Sequence, residues 1–101
     1  MPTTTKVLFR GAATTSTGTT LYTTPAGTTA IVTNIVIENS STSAATFTMA
    51  LNSVPIASAV SIAGNSMTVI DMKQVLPATQ ILSGGASTTA VDIHVSGVEI
   101  S

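Results

Sequence analysis

Threonine is what most constrains the fold of this chain. Counting along the sequence gives 20 Thr and 12 Ser in 101 residues. Thr is β-branched, is stiff at χ1 and favours pleated backbone. Interleaved with Val and Ile, it makes the chain read as strand along nearly its whole length. No helix-length amphipathic pattern interrupts it. Turn signals instead divide short strand-like runs, the signature of a sandwich or barrel. A parallel sheet would need crossover helices, and none can be placed. The expected fold is all-β: an antiparallel two-sheet β-sandwich of jelly-roll type with about eight strands.

The chain is expected to form one domain, divided into a Thr/Ser-rich N-terminal strand with a flexible arm (1–19) and a β-sandwich core (20–101). A domain of this length buries ~60–70% of the surface its unfolded chain exposes, enough for a single core. A first strand is expected over 6–10, followed by an Ala/Thr/Ser/Gly-rich loop or mobile arm at 11–18, with the N-terminal segment 1–5 free to extend along a neighbour. Leu21 and Tyr22 begin the next strand. Pro25, Ala26 and Gly27 suit a type I turn, with Pro second and Gly fourth. Residues 28–39 form the longest strand candidate and carry apolar residues on both faces: Ile31, Ile35 and Ile37 on one, Ala30, Val32 and Val36 on the other. A strand with one wet face alternates more cleanly. This one is therefore expected to lie centrally or to have its second face covered by another subunit.

Two runs do alternate cleanly. Residues 44–51 place Ala45, Phe47, Met49 and Leu51 on one face. Residues 88–96 place Val91, Ile93 and Val95 on one face, with Ala90, Asp92 and His94 on the other. Pro55 marks an edge strand or a strand start. Val60 and Ile62 mark another inward face. Gly64-Asn65 and Gly84-Gly85 are expected turns, and a further strand spans 67–72. After Gly97 the apolar residues move to even positions, Val98 and Ile100, so Gly97 is a candidate bulge.

The chemistry-bearing residues are few. Charged residues make up 7% of the chain and the net charge is −1, against roughly 25% charged in an ordinary soluble domain. No field of one sign can gather nucleic acid or anionic lipid, so neither is an expected partner. A nearly neutral, weakly charged surface also favours association. With no cysteine, neither disulfides nor thiolate ligands enter, which suits synthesis in a reducing cytoplasm. No apolar run of about 18 residues and no signal-peptide pattern is present, so no membrane span or export signal is expected.

Asp92 and His94 share a strand face and are the one pair suited to metal or acid–base work. A metal site takes about three protein ligands, and the sequence offers no third. No nucleophile elbow or phosphate cradle occurs. No catalytic residue, metal or cofactor is therefore expected. The candidate subunit-contact face comprises Val32, Val36, Asp92 and His94. Tyr22 is the one aromatic suited to an exposed sugar-binding platform.

The stretch from Leu21-Tyr22 through Pro25-Ala26-Gly27 to the apolar run Ile31-Val32, closing on Ile35-Val36-Ile37-Glu38-Asn39, resembles the opening of small structural proteins of tailed bacteriophages and prophages. The segment from Val75-Leu76-Pro77 through Ile81 to Val95-Ser96-Gly97-Val98-Glu99-Ile100 resembles their closing strands. Together these cover about residues 20–100. One departure is Ala78-Thr79-Gln80, where the pattern has a Gly-Asp turn. The resemblance implies a non-enzymatic virion protein made in the host cytoplasm. As a capsid decoration (cement) protein it would bind the major capsid protein or other virion proteins, and itself, as a homotrimer. The alternative is a tail or tail-fibre associated receptor- or glycan-binding module.

Overall fold

A computed structural model describes residues 3–101. It contains eight strands: β1 Thr3–Ala12, β2 Thr20–Thr23, β3 Thr29–Asn39, β4 Ala45–Leu51, β5 Val54–Ile62, β6 Ser66–Leu76, β7 Ile81–Ala86 and β8 Val91–Ile100. They form two antiparallel four-stranded sheets, ordered β1-β8-β3-β6 (sheet I) and β2-β7-β4-β5 (sheet II). First pairs with last, second with seventh, third with sixth and fourth with fifth. No helix occurs among the described residues. One apolar core joins the sheets: Val32, Ile35, Ile37, Ile93 and Val95 of sheet I meet Tyr22, Phe47, Met49, Ile62 and Leu82 of sheet II. Met1 and Pro2, where part of the expected N-terminal extension falls, lie outside the described residues. Thr3 to Thr5 are paired with β8.

Two single-residue insertions explain the irregular apolar pattern. In β3 the register slips between Val32 and Asn34 against both neighbours. Ala30 and Val32 therefore point inward before Thr33, and Ile35, Ile37 and Asn39 after it. Apolar residues of both parities arise because the strand changes face, as a bulge requires. A covering subunit is not needed to account for them, and β3 is interior to its sheet. In β1 the slip falls between Val7 and Phe9, so Leu8 and Phe9 both turn toward the core.

Gly97 corrects the expectation drawn from its neighbours. β8 keeps strict alternation through it: Val91, Ile93, Val95 and Gly97 are buried and the residues between them half-buried. The bulges lie in the strands on either side, and Val98 and Ile100 face outward. Gly97 is required because those bulges crowd it. A Cβ there would sit 2.3 Å from the Ile31 carbonyl oxygen and 2.8 Å from Leu8 Cδ1.

Other local readings also shift. Gly84 and Gly85 lie inside β7 rather than in a turn. The Pro25 turn begins one residue later than expected: Thr28 N–H donates to Pro25 O at 3.2 Å and Gly27 takes φ 73°, the type II arrangement. A two-residue loop, Asn52-Ser53 with φ 50° and 66°, joins β4 to β5 as a type I′ hairpin. Residues 13–19 make backbone hydrogen bonds to both sheets: Ala13 N–H donates to Val91 O of β8, and Gly84 N–H and Ala86 N–H of β7 donate to Thr19 O and Thr14 O.

Candidate contact surfaces

Sheet pairing sorts the polar chemistry of the chain. Lys6, Arg10, Glu38, Asp71, Lys73, Asp92, His94 and Glu99 all lie on β1, β3, β6 or β8. Sheet II and every loop carry no charged side chain. The molecule has one charged sheet and one whose side chains are hydroxyl-bearing or apolar only.

The outer face of sheet I is a ladder of cross-strand rows. Arg10, His94, Val36 and Val69 form one row, and Ala12, Asp92, Glu38 and Met67 the next. Val36, Asp92 and His94, expected to share a face, do so. Val32 does not: it is wholly buried in the core, on the other side of the Thr33 insertion. Sequence reasoning missed Met67, Val69, Arg10 and Glu38, because their strands are far apart in the chain and only the pairing order brings them together. Among the described residues no group of three or more His, Cys, Asp or Glu side chains is placed to hold a metal ion. Two shallow hollows meet at Thr33, one reaching Asp71 and Lys73 and the other Lys6 and Ser96.

The remaining charges form an inward cluster at the far end of sheet I. Lys6 Nζ lies 3.3 Å from Glu99 Oε1, and the Tyr22 hydroxyl donates to Glu99 Oε2 from the opposite sheet. The Tyr22 hydrogen bond, with help from Lys6, holds the Glu99 carboxyl below its ordinary range. Burial, together with the Glu99 carboxylate, pushes the Tyr22 hydroxyl up. Tyr22 is therefore a core residue with its hydroxyl clamped between sheets, and it presents no ring to a sugar.

Exposed large apolar side chains concentrate along one side of the molecule, where the two sheets end in β5 and β6. β5 and β6 are edge strands of their sheets and are joined by the short turn at 63–65. Val54 (64%), Ile56 and Val60 on β5, with Met67 (64%), Val69 and Val75 on β6, are the large hydrophobics left open there. Val60 thus points toward the core from an edge that does not close over it. Contiguous exposed apolar surface marks sites of interaction. The outer face of sheet II beside it is built from short side chains, including Thr46 opposite Ser61.

Comparison with known proteins gives no family model that matches the chain and no curated protein that matches it.

Proposed function

We propose that this chain is a structural protein of a bacteriophage particle, a capsid decoration protein that binds the major capsid protein and works by adhesion rather than catalysis. The observation that carries this reading is the confinement of charge to sheet I. Docking through sheet II and the β5 edge desolvates no ion, which removes the largest cost of burying protein surface. Its Thr, Ser, Ala and Gly side chains lose little rotamer freedom on contact. Val54, Ile56 and Val60 supply apolar area, at roughly 25 cal/mol per Å² removed from water. Sheet I faces solvent and keeps the particle surface hydrated. The resemblance of residues 20–100 to small phage structural proteins supplies the biological setting. The strand order supports a jelly roll, in which a long eight-stranded hairpin, first strand against last, is folded over on itself. The glycan-binding alternative loses its stacking platform, since Tyr22 is buried.

The test is to purify particles from lysates of cells carrying the gene and to assay the particle band for the chain before and after a high-salt wash. The chain is expected in the band and retained in salt, because screening weakens only charged contacts. Thr23→Lys with Ser61→Lys, which puts charge on sheet II, is expected to abolish retention, and Glu38→Lys on sheet I to preserve it. Recovery of the chain only in the soluble fraction, or release by moderate salt, refutes the reading.

A further inference from the structure

The free edge of β6 differs from the other three sheet edges. β1 carries the face-switching insertion at Leu8. β2 has only four residues. β5 carries Pro55 and a slipped register, with Ala59 at φ 47°. Such breaks keep edge strands from pairing with other chains. β6 has one slip, against β3 between Asp71 and Gln74, where Met72 and Lys73 stand opposite Thr33. The change of face there is taken up by β3, and β6 keeps its inward side chains on even and its outward ones on odd positions. It runs eleven residues, Ser66–Leu76, and contains neither Pro nor Gly nor a left-handed residue. Its outward side chains are Met67, Val69, Asp71, Lys73 and Val75, all exposed. A long edge strand free of Pro and Gly, with exposed apolar side chains, is a template for another strand.

We propose that two copies of this chain join through β6, antiparallel about a two-fold axis at Met72, making sheet I continuous across eight strands. The outward residues choose the partner and the register together. With the axis at Met72, Asp71 of each copy stands opposite Lys73 of the other, and Val69 opposite Val75. Moving the axis to Asp71 sets that carboxylate against itself, and moving it to Lys73 does the same with two ammonium groups. Like charges directly opposite destabilise a strand pair, whereas opposite charges and β-branched pairs stabilise it. The order Val-x-Asp-x-Lys-x-Val is therefore self-complementary in one antiparallel register, and a second copy supplies the matching charges. The interface is isologous, so it closes as a dimer and not as the trimer expected from the phage resemblance. The inference concerns the edge of sheet I and does not depend on docking through sheet II.

The experiment is a mass measurement by light scattering or sedimentation over a concentration series. The wild-type chain is expected to reach twice its 10.1 kDa mass. Asp71→Lys, which sets Lys against Lys twice, is expected to give monomer. Lys73→Asp repeats the test with the opposite sign should the first variant fail to fold. The double swap, Asp71→Lys with Lys73→Asp, is expected to restore the dimer. In this cysteine-free chain, Met72→Cys is expected to oxidise to a disulfide-linked dimer. Met67→Cys is not, because its two thiols would lie about ten residues apart along the pairing, ~33 Å. A monomer at every concentration, a trimer, or a dimer indifferent to both single charge changes overturns the proposal.

Discussion

Asn39 is the polar residue on which most of the local architecture depends. It ends β3 fully buried and holds two loops at once. Its Nδ2 donates to Ser43 O at 2.9 Å and, at longer range, to Ile62 O and Ala63 O. Its Oδ1 accepts from Ser41 N at 3.0 Å and Ser41 Oγ at 2.8 Å. The loop after β3 and the turn after β5 are thereby drawn together, and Asn65 N–H bonds Ser41 O beside them at 2.9 Å. Asn39→Ala removes three well-formed hydrogen bonds and leaves buried carbonyls without a donor. At about 1 kcal/mol per bond the loss is about 3 kcal/mol. For a domain near 100 residues that lowers Tm by about 12–24 °C. Urea denaturation of both proteins, with equal m-values, measures it. Asn39→Asp is expected to be worse near neutral pH, because a carboxylate would face the Ser43 and Ile62 carbonyl oxygens. It is expected to recover on acidification, since a carboxyl whose folded pKa is raised costs least below its unfolded pKa. A loss under about 1 kcal/mol for Asn39→Ala would refute the claim that these bonds, and not apolar burial, hold the two loops.

Glu99, held below the ordinary carboxylate range by Tyr22 and Lys6, contributes stability that is present above its unfolded pKa and lost as pH falls through its folded pKa. Acid titration of stability should show that loss, and Tyr22→Phe should shrink it. Gly97→Ala puts a methyl group 2.3 Å from a backbone oxygen and should cost about 1–3 kcal/mol in thermal or urea melts. Gly18→Ala, with nothing within 4 Å, should be neutral or stabilising by under about 1 kcal/mol. Thr79 is a β-branched residue at φ 70° in the turn closed by Gln80 N–H to Pro77 O. Thr79→Gly should therefore raise stability by about 1 kcal/mol, and a lower Tm would show that this backbone is unstrained.

Strands without an odd insertion were legible from the sequence. β4 and β8 each bury alternate residues as their pattern requires: Ala45, Phe47 and Met49 in one, Val91, Ile93 and Val95 in the other. β3 misled, because a residue inserted at Thr33 transfers every later side chain to the opposite face. Val32 and Val36 thus have the same parity and opposite environments. The Gly84-Gly85 pair reads as a turn locally, yet it serves close approach. A Cβ on Gly84 would meet Met49 Sδ at 2.5 Å, and one on Gly85 the Ser16 carbonyl oxygen at 2.2 Å. Ala78-Thr79-Gln80 carries no glycine to announce its turn, and Thr79 holds φ 70° there, a backbone conformation that is strained for a β-branched residue. The contact surfaces were the least legible part. Charges at positions 6, 10, 38, 71, 73, 92 and 99 look scattered in the chain, and only the order β1-β8-β3-β6 gathers them onto one sheet.

That gathering gives the two proposed contacts a joint consequence. In an antiparallel pair, residues directly opposite share a face. A two-fold axis through β6 therefore runs normal to sheet I and leaves both copies of sheet II on the same side. A dimer of this kind presents two charge-free surfaces in one direction, at fixed spacing, and both can meet a repeating lattice together. The second attachment is then intramolecular, and avidity exceeds the single-site affinity by roughly 10²–10⁴. Asp71→Lys, which alters neither sheet II nor the β5 edge, should consequently weaken retention on particles by a factor of that order, and the double charge swap should restore it. Retention that is unchanged in a variant shown to be monomeric would mean that the two surfaces do not engage together.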